Sequence, residues 1–179
     1  VLLEEVPSTL IFDGDMELAD TSAWPNWSTP GIKEKSRTEF VSGAQSMHID
    51  TRAVGGAGIQ QVNLPVRANR SYKLSMKYKL LSGTQLVILG IRDSNADFEN
   101  KRASLARVSQ EWQTYSRTFT VPSTFVSDFR LVLPLRWGEV YLDDIKIEEL
   151  PLADGNMEAA GTAVWQNWST PTVKEKSVV

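Results

Sequence analysis

Six tryptophans, one histidine and no cysteine set the chemistry open to this 179-residue chain. Without cysteine there is no disulfide, no thiol nucleophile and no Cys-based zinc site. His48 is the only histidine, so a Ser-His-Asp triad or a multi-His metal centre lacks its parts. It alternates with Met47 and Ile49 and reads as a strand residue with a structural role. Acids are plentiful, but no spacing singles out a pair facing a cleft, as glycoside hydrolysis requires. Asp143 and Asp144 are neighbours on a strand and point to opposite faces. The chain is therefore read as non-catalytic. Asp93, Asn95 and Asp97 carry the alternating oxygens of a calcium loop. However, Phe98 stands where that loop needs Gly and Ser104 where it needs Glu, so a polar loop is expected. The tripeptides Asn26-Trp27-Ser28 and Asn69-Arg70-Ser71 fit glycosylation sequons, which matter only in a secreted protein of a glycosylating host. The aromatic residues remain. Trp27 lies in a Pro/Ser/Thr-rich loop, where an apolar ring has little reason to be buried. Trp137 lies between Arg136 and Gly138, at the turn joining the last two strands. Two flat rings so placed offer surfaces for stacking.

The tryptophans also mark a repeat. "WPNWSTPGIKEKS" at 24–36 returns as "WQNWSTPTVKEKS" at 165–177, and 16 of the 24 positions from Asp13 to Ser36 are identical at a constant offset of 141. That period is the size of a domain, not of a solenoid unit. "VLLEEVP" at 1–7 resembles "IKIEELP" at 145–151. The expected organisation is the last strand of a preceding repeat at 1–7, one complete repeat at 8–151, and the start of the next at 152–179. On this reading the chain is a piece of a longer array.

The formal net charge is −3, with both signs interspersed. No basic stripe points to nucleic acid, and no apolar run approaches a membrane span. The elements that must position the tryptophans read as β throughout. "RSYKLSMKYKL" (70–80) alternates Tyr72, Leu74, Met76, Tyr78 and Leu80 against Lys73, Ser75, Lys77 and Lys79, the pattern of a half-buried strand. Further strands are expected at 84–93, 111–121, 128–136 and 138–149. Shorter ones are expected at 9–12, 36–41, 45–51 and 57–64, separated by Gly, Pro, Asn and Ser clusters. The fold class is all-β: a β-sandwich of jelly-roll type with about nine to ten antiparallel strands.

Five segments in order carry a resemblance to a family. "DGDMEL" near the start, "GAQSMHI" (43–49), "IQQVNLPVRANRSYKLSMKYK" (59–79), "EWQTYSRTFTVP" (111–122) and "GEVYLDDIKI" (138–147) resemble the carbohydrate-binding modules grouped with families 4, 9, 16 and 22. The chain departs from them at Met16, where an aromatic is usual, and in the Trp-rich loop at 24–27. The resemblance implies a structural calcium, held by the opening-motif Glu and a closing-strand Asp. Carried over, these are Glu17 and Asp143 or Asp144, with the Asp15 carbonyl; oxygen donors suit that cation. It also implies sugar binding, in which pyranose faces stack on aromatic rings while polar side chains grip hydroxyls. Trp112 matches a family strand position and is expected in the core. Trp24 matches the family's early Trp, either packed or stacking. Trp27 and Trp137 are the leading stacking candidates, with Gln61, Asn63, Arg92, Arg130 and Arg136 as hydroxyl partners.

Two functions follow. In one, each repeat binds a polysaccharide or oligosaccharide, in an extracellular or cell-surface protein that gains avidity from its array. In the other, each repeat is a structural unit of a surface fibre, adhesin stalk or layer. Its junctions would then be completed by neighbouring repeats through strand exchange.

Overall fold

The computed structural model describes residues 9–28, 32–83, 85–90, 92–93, 96–97, 103–105, 108–125 and 129–151, those at 85–105 by backbone alone. The expected repeat boundaries at 1–7 and 152–179, and the polar loop at Asp93, Asn95 and Asp97 apart from two short strands, lie outside the described residues.

Eleven strands and no helix are found among the described residues: β1 (Ile32–Ser36), β2 (Ser46–Asp50), β3 (Ala57–Gln61), β4 (Ser71–Ser82), β5 (Gln85–Gly90), β6 (Arg92–Asp93), β7 (Ala96–Asp97), β8 (Ala103–Leu105), β9 (Gln113–Thr120), β10 (Leu131–Arg136) and β11 (Glu139–Glu149). Nine of them build two antiparallel sheets, ordered β1-β2-β11-β4-β9 and β3-β10-β5-β8, and β6 pairs only with β7. This is the expected β-sandwich.

Alternation explains the packing. On β4, Tyr72, Leu74, Met76, Tyr78 and Leu80 all turn inward and are buried. Each such side chain contributes roughly 1.5–3 kcal/mol by leaving water. They meet Leu131, Leu133 and Leu135 of β10, Ile59 of β3, and Val140, Leu142, Ile145 and Ile147 of β11 in one core cluster.

Two expected short strands are absent. Residues 10–16 form turns rather than a strand at 9–12. Asp13 and Met16 sit at positive φ there, and the turn presses on β11 through Ile145 N–H donating to the Gly14 carbonyl at 2.7 Å. β11 makes room for it: its register to β4 shifts between Asp143 and Lys146. A Cβ on Gly14 would lie 1.9 Å from the Ile145 carbonyl oxygen, so only glycine fits this contact. The strand expected at 36–41 lies earlier, at Ile32–Ser36. Its inward residues are Lys33 and Lys35, so an apolar alternation does not reveal it.

Candidate functional site

The loop after Trp24 joins a sheet. Trp27 N–H donates to the Gly58 carbonyl at 2.8 Å, Gln60 N–H donates to the Pro25 carbonyl at 3.0 Å, and Asn26 bridges Ile59. Pro25–Trp27 is thus one more short strand on the free edge of β3. Ile59 points into the core. By alternation, Trp27 and Gly58 fall on the outer face of the four-stranded sheet. Trp27 is half-buried and packs outside the core cluster.

The register across this sheet places Gly58 opposite Pro134, and Gln60 opposite Val132. Val132 faces away from the core, yet it and Pro134 are buried. Neighbouring groups therefore stand above the central strand on this face. Gln60 is half-buried at the rim and donates to the Asn26 carbonyl at 3.2 Å. Two residues along β10, Arg136 is exposed, and none of the ion pairs among the described residues uses it.

Trp137 ends that strand at φ 43° and is 57 % exposed, an open ring on a tight turn. Its indole lies on Gly55, where an added Cβ would come within 2.7 Å of the ring nitrogen. Trp27 pairs through its backbone with Gly58 and the Trp137 indole lies on Gly55, and the backbone from Gly55 to Gly58 spans at most about 11 Å.

Other candidates fall elsewhere. Trp24 is fully buried, and its ring N–H donates to the Asp13 carbonyl at 3.0 Å, so it is a core residue without a free face. Gln61 is a correction. It turns inward, 5 % exposed; its amide oxygen accepts from Phe12 N–H and its amide nitrogen donates to the carbonyls of Phe12 and Ala23. Both ends of its amide are thus engaged by the fold. The residue missed is its neighbour Gln60, which strand alternation from Ile59 would have found. Trp112 is half-buried rather than a core residue. Asn63 is exposed at φ 56° just past β3, and Arg130 is half-buried. Arg92 lies on β6, and its side chain is outside the description.

Three of the residues carried over for calcium accept hydrogen bonds from the segment 41–45. Exposed Glu17 accepts from the N–H groups of Ala44 and Gln45 at 2.9 and 3.2 Å. Asp143 is fully buried, and its two oxygens accept from Val41, Ser42 and Asp144 N–H at 2.8–3.2 Å. Burial pushes its carboxyl above the usual range against the pull of those three donors. Asp144 accepts from the Ser42 hydroxyl at 2.9 Å, and Asp15 is exposed. Glu17 Oε1, both Asp143 oxygens and Asp144 Oδ1 thus accept from N–H and O–H groups. Among the described residues no group of three or more His, Cys, Asp or Glu side chains is set to hold a metal.

The outer face of the five-stranded sheet differs in kind. His48 and Tyr141 stack there with centroids 4.7 Å apart, which covers one face of the tyrosine. His48 reaches Glu34 and Glu139, Arg52 pairs with Asp50 and Glu139, and Lys79 pairs with Glu39. These charges satisfy one another.

The fold is thus an all-β sandwich of two antiparallel sheets, with Trp27 half-buried at the edge of β3 and Trp137 exposed just after β10. Residues 8–137 match the sequence pattern of CBM_4_9, carbohydrate binding domain, and the chain belongs to that family. Among solved structures it is similar to "Family 16 Carbohydrate Binding Module-2" at 21 % identity and TM-score 0.59, covering 77 % of this chain and 98 % of that one. It is also similar to TmCBM61 in complex with beta-1,4-galactotriose, at 10 % identity and TM-score 0.61, covering 80 % and 99 %. A cyclase from Fischerella sp. TAU shares the fold at 14 % identity and TM-score 0.62, covering 79 % and 96 %. At these identities the likenesses establish the fold alone. No curated protein matches the chain.

Proposed function

We propose that this domain is a non-catalytic module that binds a polysaccharide chain along the outer face of its four-stranded sheet. Trp27 and Trp137 are the stacking platforms, and Gln60 and Arg136 are the partners for hydroxyls. One observation carries this. Pairing of Pro25–Trp27 with β3 puts Trp27 opposite Gly58 at the edge of that sheet, and the exposed Trp137 lies on Gly55, three residues earlier. Two flat apolar surfaces with polar groups beside them suit the alternating C–H faces and hydroxyls of successive sugar units. Membership in a carbohydrate binding domain family and the likeness to a module solved with a galactotriose agree with it. Such a module belongs in a secreted or cell-surface protein.

The reading extends to residues 152–179 as the start of a second module. Asp13, Gly14, Met16, Trp24, Lys33 and Lys35 form one connected cluster in the described domain. They recur as Asp154, Gly155, Met157, Trp165, Lys174 and Lys176. Trp27 recurs as Trp168. Neighbouring modules on one glycan would raise avidity through effective concentration.

Affinity electrophoresis on gels cast with different soluble polysaccharides tests the proposal. Retardation is expected on one glycan class. Trp27→Ala and Trp137→Ala, each with an unchanged melting temperature, weaken it by up to about tenfold in Kd. Migration unaffected by every glycan would refute the binding role.

A further inference from the structure

A cation already sits in the opening turn, and it is covalently part of the chain. The Lys35 ammonium donates to Asp13 Oδ2 at 2.7 Å and to the Met16 carbonyl at 2.8 Å. The Lys35 side chain is 6 % exposed and that of Asp13 fully buried. A carboxylate and a main-chain carbonyl on one tight turn are the kind of oxygen donors a hard cation takes. Here they stand at hydrogen-bond distance around a nitrogen. The rest of the turn is built to hold them. Asp13 Oδ1 accepts from Leu18 N–H at 2.8 Å, and the Asp13 carbonyl accepts the Trp24 ring N–H. Beside it the Lys33 ammonium donates to the Trp24 carbonyl at 2.7 Å, and its loss of water favours the uncharged amine. Placing a divalent ion against Asp13 would set it beside the buried ammonium, a repulsion that low local dielectric strengthens.

We propose that the Lys35 ammonium, through Asp13 and Met16 rather than the residues carried over for calcium, performs the tying role that the family resemblance assigns to that ion. It ties the opening turn into the sandwich, and the domain needs no metal for this. Glu17, Asp143 and Asp144 are then ordinary hydrogen-bond acceptors that clamp the segment 41–45. The proposal is independent of sugar binding. The recurrence of Asp154, Met157 and Lys176 gives the second copy the same three parts.

Thermal melts of the 179-residue chain, in EDTA and in millimolar calcium chloride, provide the test. The wild type is expected to melt at one temperature in both. Lys35→Met, which keeps the stem and removes the charge, strands a buried carboxylate and lowers Tm by about 10 °C. Asp13→Asn combined with Lys35→Met removes both charges and recovers part of that loss. Lys35→Met that fails to accumulate while the double variant is soluble is the same result in stronger form. A wild-type Tm that falls in EDTA and returns with calcium overturns the proposal, as does Lys35→Met melting with the wild type.

Discussion

Gln60 and Gln61 carry the same amide on successive residues of β3 and do different work. Gln61 points inward and closes three hydrogen bonds to the segments at Phe12 and Ala23. Truncating it removes three part-buried bonds to backbone groups, which costs about 1–3 kcal/mol. Gln61→Ala is therefore expected to lower stability in urea melts by that amount while leaving glycan affinity of the folded fraction unchanged. Residue type alone made Gln61 a candidate and passed over Gln60, and only the period of the strand separates them. Trp24 and Trp27 pose the same problem three residues apart. Both are tryptophans in one loop, and the difference is a hydrogen bond from the Trp24 ring to the Asp13 carbonyl that sequence spacing does not encode.

At the scale of elements, long strands with apolar alternation were legible and polar ones were not. β4 announces itself because five inward residues are apolar. β1 hides because its inward residues are lysines whose charged ends reach backbone carbonyls and Asp13. The Pro25–Trp27 edge hides for another reason. Its partner is chosen by tertiary approach to β3, and no local pattern fixes that. The end of β11 offers a test of how elements are tied. Glu149 pairs with Arg67 and Arg70, which lie just before β4. The Arg67 hydrogen bond, followed by that of Arg70, holds its carboxyl below the ordinary value. The unfolded chain then takes up the proton first. The stabilisation is complete above the ordinary Glu pKa of about 4.3 and is lost as pH falls through the folded value. Glu149→Gln should melt a little below the wild type at pH 7, and the gap should close between about pH 5 and pH 3. A gap that persists at the acid end would mean that the pair contributes nothing.

For the whole molecule, the two sheets present opposite characters. The five-stranded face carries charged side chains, several of them in internal pairs, with His48 between Glu34 and Glu139. The four-stranded face keeps Trp27, Gln60 and Arg136 around buried Val132 and Pro134. The all-β sandwich could be read from strand spacing and the five family segments. Which face would carry the proposed site could not, because that depends on how the edge at 25–27 folds onto β3. The most direct measurement is a heteronuclear NMR titration of the chain with a short oligosaccharide of whichever glycan retards it. The account predicts shifts at the Trp27 and Trp137 ring N–H groups and along residues 25–27, 58–60 and 132–137, with His48, Tyr141 and Lys79 unmoved. Shifts centred on His48 and Tyr141, with Trp27 unmoved, would contradict it.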